Sequence, residues 1–148
     1  PQILFENYLC CTTFYGFAAN EILDSTVPFL DDDLDPKTVW ALRNLHLFPV
    51  EINKAEYRML LRVPGIGQQS ARKIITSRRW GWLGFTELKK LGVVMKRARY
   101  FITCQGSFLE KIDNEETIRS CLLRDEGKKQ ELAYEQFPLN LEAGLVQS

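Results

Sequence analysis

Gly65-Ile66-Gly67, running on into Gln68-Gln69-Ser70-Ala71-Arg72-Lys73, is the stretch of this sequence best equipped for chemistry. Two glycines this close permit a tight turn with unusual φ and remove side chains where the backbone approaches another surface. A helix opening after Gly67 turns its free N–H groups toward the turn, a ready cradle for a phosphate oxygen. Gln68 and Ser70 lie at that helix start, and Arg72, Lys73, Arg78 and Arg79 follow on the same element and add side-chain charge. This is binding chemistry. Bond-breaking chemistry has no comparable candidate: no Asp occurs between Asp35 and Asp113, and Glu87 is the sole acid between Glu56 and Glu110. His46, the single histidine, has no Cys, His or carboxylate at ligand spacing and reads as a surface or capping residue. There is no P-loop, nuclease carboxylate cluster or Ser/His/Asp constellation. The chain itself therefore reads as a non-enzyme.

The elements that must hold this turn can be read from stop and start signals. Asn53-Lys54-Ala55-Glu56 reads as a capping box opening a helix with Tyr57, Leu60 and Leu61. Val63-Pro64-Gly65 stops it, and Ala71, Ile74 and Ile75 share one face of the helix after Gly67. Ile66 can plug the turn into the core, and Ala71 is small enough for two helices to cross closely. Upstream, a helix is expected through Tyr15 with Gly16 as its stop, then a short one near Ala18–Leu23. Asp31-Asp32-Asp33, between Pro28 and Pro36, marks a turn-rich connector with no calcium-loop pattern behind it. Asp35-Pro36 fits N-cap then N1 of a helix reaching Asn44, with Val39, Trp40 and Leu42 facing a core. A further helix is expected around Glu115–Leu123, then a loose tail from Arg124.

The net charge of zero conceals a strong pattern. Residues 1–53 hold eight acids against Lys37 and Arg43, residues 54–100 hold twelve bases against Glu56 and Glu87, and residues 101–148 hold nine acids against five bases. A basic middle segment of +10 thus lies between acidic flanks of −6 and −4. Solubility alone asks for interspersed signs. So concentrated a charge calls for a polyanion, either nucleic acid, anionic lipid or an acidic protein face, unless the flanks fold back over it. Three segments follow: 1–53 as an N-terminal helical stretch, 54–104 as the basic core, and 105–148 as an acidic helix with its tail.

A shift of 27 residues superposes Leu61 on Leu88, Gly65 on Gly92, Ile66 on Val93, Ala71 on Ala98, Arg72 on Arg99, Ile74 on Phe101 and Ile75 on Ile102. The second copy carries Lys89, Lys90, Lys96, Arg97 and Arg99, but has Val94 where the first has Gly67. Between the copies lies Trp80-Gly81-Trp82-Leu83-Gly84-Phe85, whose aromatics stack on unpaired bases if exposed and otherwise join the core; the core is expected to take at least one tryptophan. The four cysteines, Cys10, Cys11, Cys104 and Cys121, lack C-x2-C spacing and read as reduced thiols of a cytoplasmic protein. No run of about 18 apolar residues is present to span a bilayer, and no membrane partner is expected. PQILFENYLCC is not a secretory signal, and the missing initiator Met is consistent with a piece of a longer chain.

The segment Leu60–Ile75 resembles the helix–hairpin–helix motif of DNA repair and recombination proteins, and its repeat resembles tandem helix–hairpin–helix domains. That resemblance implies an all-α fold, two hairpins packed about a pseudo-twofold axis with N-terminal helices added, straddling duplex DNA across the minor groove. Gly92, Lys96, Arg97 and Arg99 would then join the first hairpin's residues at the backbone. Glycosylases with one such hairpin carry a catalytic Asp shortly after it, and here Lys73 has no such partner.

At greater length, Phe14-Tyr15-Gly16-Phe17, Leu34-Asp35-Pro36-Lys37-x-x-Trp40-Ala41-Leu42-Arg43, Phe48-Pro49-Val50-Glu51-Ile52-Asn53, the hairpin and Leu88–Cys104 resemble the C-terminal region of the DNA modification/repair radical S-adenosylmethionine proteins. The resemblance implies a preceding catalytic half with a C-x3-C-x2-C motif, a [4Fe-4S] cluster and S-adenosylmethionine. None of these is implied for the present residues, which lack that cysteine triplet. Two functions remain open: a sequence-independent module that binds duplex or damaged DNA and serves its own radical S-adenosylmethionine domain, or a helical adaptor, without direct DNA binding, whose basic face docks on its own acidic flanks, its catalytic half or another protein.

Overall fold

The computed structural model describes residues 15–22 and 33–127. Within them the order is α1 (Ala19–Ile22), α2 (Pro36–Arg43), a 3-10 turn (Leu45–Leu47), β1 (Val50–Glu51), α3 (Tyr57–Arg62), α4 (Gln68–Ser77), α5 (Phe85–Lys90), α6 (Met95–Ala98), β2 (Ile102–Cys104), β3 (Ser107–Phe108) and a helix α7 over 115–127.

The Asp35-Pro36 signal opens α2 where expected. The Asp35 carboxylate accepts from the Thr38 N–H at 3.2 Å and its hydroxyl at 2.6 Å, and Pro36 fills the first turn, where its missing N–H costs nothing. Val39, Trp40 and Leu42 are buried. Trp40 meets Phe17 edge-on at 5.2 Å and Phe48 at 6.2 Å, and Phe48 meets Phe101 at 5.3 Å. This aromatic chain ties the N-terminal elements to the end of the second repeat. Arg62, at the end of α3, lies over both Phe17 and Trp40 while its guanidinium grips Glu21 at 2.7 Å. That grip holds the Glu21 carboxyl below its ordinary range.

The all-α expectation is corrected. The protein is mixed α/β, with a three-stranded sheet in the order β1-β2-β3. Strand β1 runs parallel to β2, pairing Val50 with Ile102 and Glu51 with Thr103, and β2 runs antiparallel to β3, pairing Thr103 with Phe108 and Cys104 with Ser107. The 27-residue repeat places Phe101 and Ile102 on a helix, as Ile74 and Ile75 are. Instead α6 ends at Ala98, and the aromatic and β-branched run Tyr100-Phe101-Ile102-Thr103 goes into strand, the conformation such residues favour. The sheet joins the residues before the first hairpin to those after the second.

The capping box at Asn53–Glu56 is also corrected. Helix α3 starts at Tyr57 with Glu56 at its N-cap. The Asn53 side chain instead donates to the Leu83 carbonyl at 3.0 Å and accepts from the Leu83 N–H at 2.8 Å. Reciprocal capping chemistry appears in part at α5, where the Glu87 carboxylate accepts from the Gly84 N–H at 3.0 Å.

Helix α7 covers the expected 115–123 and continues to 127. Residues 124–127, expected as the start of a loose tail, are helix; the helix expected before Tyr15, the acidic run at Asp31 and Asp32, and the rest of the tail lie outside the described residues. Among the described residues no helix is long and apolar enough to cross a membrane.

Candidate nucleic-acid interface

Helices α3 and α4 are joined by Val63–Gly67, and α5 and α6 by Leu91–Val94. Gly65 and Gly92, equivalent in the repeat, take φ of 86° and 91°. Positive φ here is a requirement for glycine. At Gly65 it is reinforced by contact: a Cβ would stand 2.5 Å from the Val94 carbonyl oxygen and 3.2 Å from the Ala98 nitrogen. A Cβ on Gly92 would stand 3.3 Å from Ser70 Oγ. Each turn therefore leans on the helix start of the other hairpin, and Ala71 and Ala98 are fully buried where the helices cross. Ile66 is buried beneath the first turn, as a plug should be.

The two hairpins differ at the next position. The Val94 N–H donates to the Gly65 carbonyl at 2.9 Å, and its side chain is half exposed. The repeat-equivalent Gly67 N–H has no such partner among the described residues. Gly67 has φ −91°, so the unusual backbone angle expected for both glycines belongs to Gly65 alone. A Cβ at Gly67 would meet only the Tyr15 hydroxyl, at 3.9 Å. Nothing in the described fold demands glycine there. What results is a helix start with no side chain on its N-cap residue.

This helix start opens onto a cleft of about 610 Å³ lined by Gly65, Ile66, Gly67, Gln68, Ser70, Gly92 and Arg97 from the expected set. It also takes in Gln69 and Val94 of the two hairpins, and Tyr15, Asp35 and Lys37, which sequence spacing did not connect to them. Lys37 is buried beneath the turn, with its ammonium donating to the Ile66 carbonyl at 2.5 Å and lying 4.2 Å over the Tyr15 ring. The signal for Lys37 was its position just inside a capped helix, but 29 residues separate it from the carbonyl it holds. The Asp35 carboxylate at the rim is occupied by Thr38 and lies 3.5 Å from Arg97.

The expected arginines separate into two sets. Arg78 points inward, donating to the Ile52 carbonyl at 3.1 Å and the Ala55 carbonyl at 2.7 Å. Arg97 pairs with Glu126 at 2.7 Å as well as with Asp35. Arg99 pairs with Asp125 at 2.9 Å and Glu110 at 3.3 Å, and donates to the Tyr100 hydroxyl at 2.8 Å. The acidic flank thus folds over the second hairpin. On the first hairpin Glu21 pairs with Arg62, while Arg72, Lys73 and Arg79 are exposed and make no ion pair with a described residue. Lys96 is exposed on α6, on the other hairpin.

Trp80 and Trp82 depart from the expectation that at least one is core, being 90% and 64% exposed. Leu83 fills the core position instead. Cys104 is buried under the sheet, where loss of solvent, aided by Glu51 and Glu87, pushes its thiol up to about 12. Such a thiol stays protonated at neutral pH. Among the described residues no three His, Cys, Asp or Glu side chains gather as a metal site. No family model, curated protein or solved structure matches the chain.

Proposed function

We propose that this chain is a DNA-binding module that grips phosphates without regard to sequence, and that the grip is made by the first hairpin. The observation that carries the reading is the division of the basic charge. Acidic partners engage Arg97 and Arg99, while Arg72 and Lys73, on the helix whose start opens onto the cleft, and Arg79, just past its end, stand exposed. An oxygen of the DNA backbone at Gly67 would meet the N-terminal end of α4, with Arg72 and Lys73 farther along that helix. Base edges play no part in such a grip. In the proteins the sequence resembles, the cluster and S-adenosylmethionine belong to a catalytic half, and the present residues would hold DNA for it.

The adaptor reading also has an observation in its favour, since α7 supplies Asp125 and Glu126 to the second hairpin. That contact supports docking at the second hairpin and is compatible with DNA at the first. Substitution separates the two. Arg72→Ala should weaken binding about equally for every DNA sequence and shallow the salt dependence by about one unit of slope. Arg99→Ala, which breaks pairs within the protein, should leave that slope unchanged. A loss at Arg72 confined to particular sequences would contradict a phosphate contact.

A further inference from the structure

The tryptophans between the hairpins occupy a turn that is held at both ends. Before it, Arg78 is tied to the Ile52 and Ala55 carbonyls. After it, Leu83 is buried and clasped through both its N–H and its carbonyl by Asn53. Within it, the Arg79 and Trp80 N–H groups donate back to Thr76 and Ser77, so the chain continues the path of α4 for another turn. The result is a short, anchored projection that leaves two large aromatic rings in solvent.

Its alignment with the basic residues follows from helical spacing. Gln69, Arg72, Lys73 and Thr76 are exposed along one stripe of α4, and Arg79 and Trp80 extend that stripe past its end. From Gln69 to Trp80 the rise is about 16 Å, close to five base-pair rises of about 3.4 Å measured along the axis of a duplex. A strand whose backbone enters at the Gly67 cleft and follows the cations therefore arrives at the tryptophans several nucleotides later. Paired bases present only their edges to such a ring. Unpaired bases present a face, and every base has one.

We infer that the substrate class is duplex DNA interrupted by unpaired bases, with Trp80 and Trp82 stacking on the bases the duplex leaves open. The inference rests on the DNA-binding reading above and deepens it. The rings beside Arg79 give both halves of such a site, an aromatic platform and a cation for the adjoining phosphate. Two exposed tryptophans also suit a membrane surface, but a basic stripe in register with a helix start suits a linear polyanion better.

The test titrates the intact chain, at one salt concentration, with a blunt duplex and with the same duplex carrying a single-stranded gap. The gapped DNA should bind about ten-fold tighter or more. Trp80→Ala and Trp82→Ala should each remove most of that preference and leave blunt-duplex affinity intact, while Trp80→Phe should keep much of it. Both side chains are exposed, so the variants should match the parent in circular dichroism. Equal affinity for the two DNAs in the parent would overturn the inference and leave the phosphate grip standing. Absence of binding to either DNA would overturn both. Tryptophan emission that shifts to the blue on phosphatidylserine-containing vesicles, with no response to gapped DNA, would also overturn it and assign the projection to a membrane.

Discussion

At Gly67, φ is −91° and a Cβ would meet only the Tyr15 hydroxyl at 3.9 Å, whereas at Gly65 φ is 86° and a Cβ would stand 2.5 Å from the Val94 carbonyl. Two glycines that look alike in the sequence therefore answer to different demands. Gly65 serves the fold: Gly65→Ala should cost about 2–4 kcal/mol and lower the melting temperature by about 10 °C or more, from the strained backbone angle and the displaced second hairpin. Gly67 serves the cleft. Gly67→Val should leave the circular dichroism spectrum and melting temperature close to the parent and lower DNA affinity, because the new side chain fills the space before the start of α4. Unchanged affinity in a folded Gly67→Val protein would remove the first hairpin as the contact. The sequence spacing placed both glycines at the turn, but only the backbone angle and the neighbour across the hairpins tell their tasks apart. The same is true of Arg78, which reads as one more cation after Arg72 and Lys73 yet serves two carbonyls some twenty-five residues earlier.

Elements with strong local signals were legible. The Asp35-Pro36 cap, the Val63-Pro64-Gly65 stop and the apolar face of α4 all depend on residues within a few positions of one another, and each appears where expected. The sheet depends on residues about fifty apart, Val50 with Ile102 and Glu51 with Thr103, and its strands of two or three residues are too short to show alternation. A single acid organises this clasp. The Glu51 carboxylate accepts from the Gly106 N–H at 2.8 Å, the Gln105 N–H at 3.0 Å and the Thr103 hydroxyl at 3.2 Å. Burial alone would raise its pKa, but the backbone donors of Gly106, Gln105 and Asn53 outweigh it and hold the carboxyl below its ordinary 4.5. A carboxyl lowered by folding stabilises the fold fully above that ordinary value, and the contribution is lost as pH falls through the lowered one. Glu51→Gln should therefore reduce the melting temperature at neutral pH and flatten its decline below about pH 4.5. An identical acid limb in parent and variant melts would show that the clasp does not depend on the charge.

Over the whole molecule, the sum of charges is zero while its distribution is the functional statement. The sequence showed a basic middle and acidic flanks, and posed masking against exposure as alternatives for the entire face. Folding divides them. Asp125 and Glu126 on α7 take Arg99 and Arg97, Glu21 takes Arg62, and Arg72, Lys73 and Arg79 remain exposed beside the cleft. No count along the chain could assign those partners, because each pair joins residues 26 or more positions apart, except Arg99 with Glu110. The central claim is that this exposed set holds phosphates. It is tested most directly by fluorescence anisotropy of a labelled duplex against the intact chain, titrated across salt. The account predicts that the logarithm of the binding constant falls linearly with the logarithm of salt concentration, with a slope of about −3 to −5 for the few cations left unpaired. Binding that ignores salt, or no binding at low salt, would contradict it.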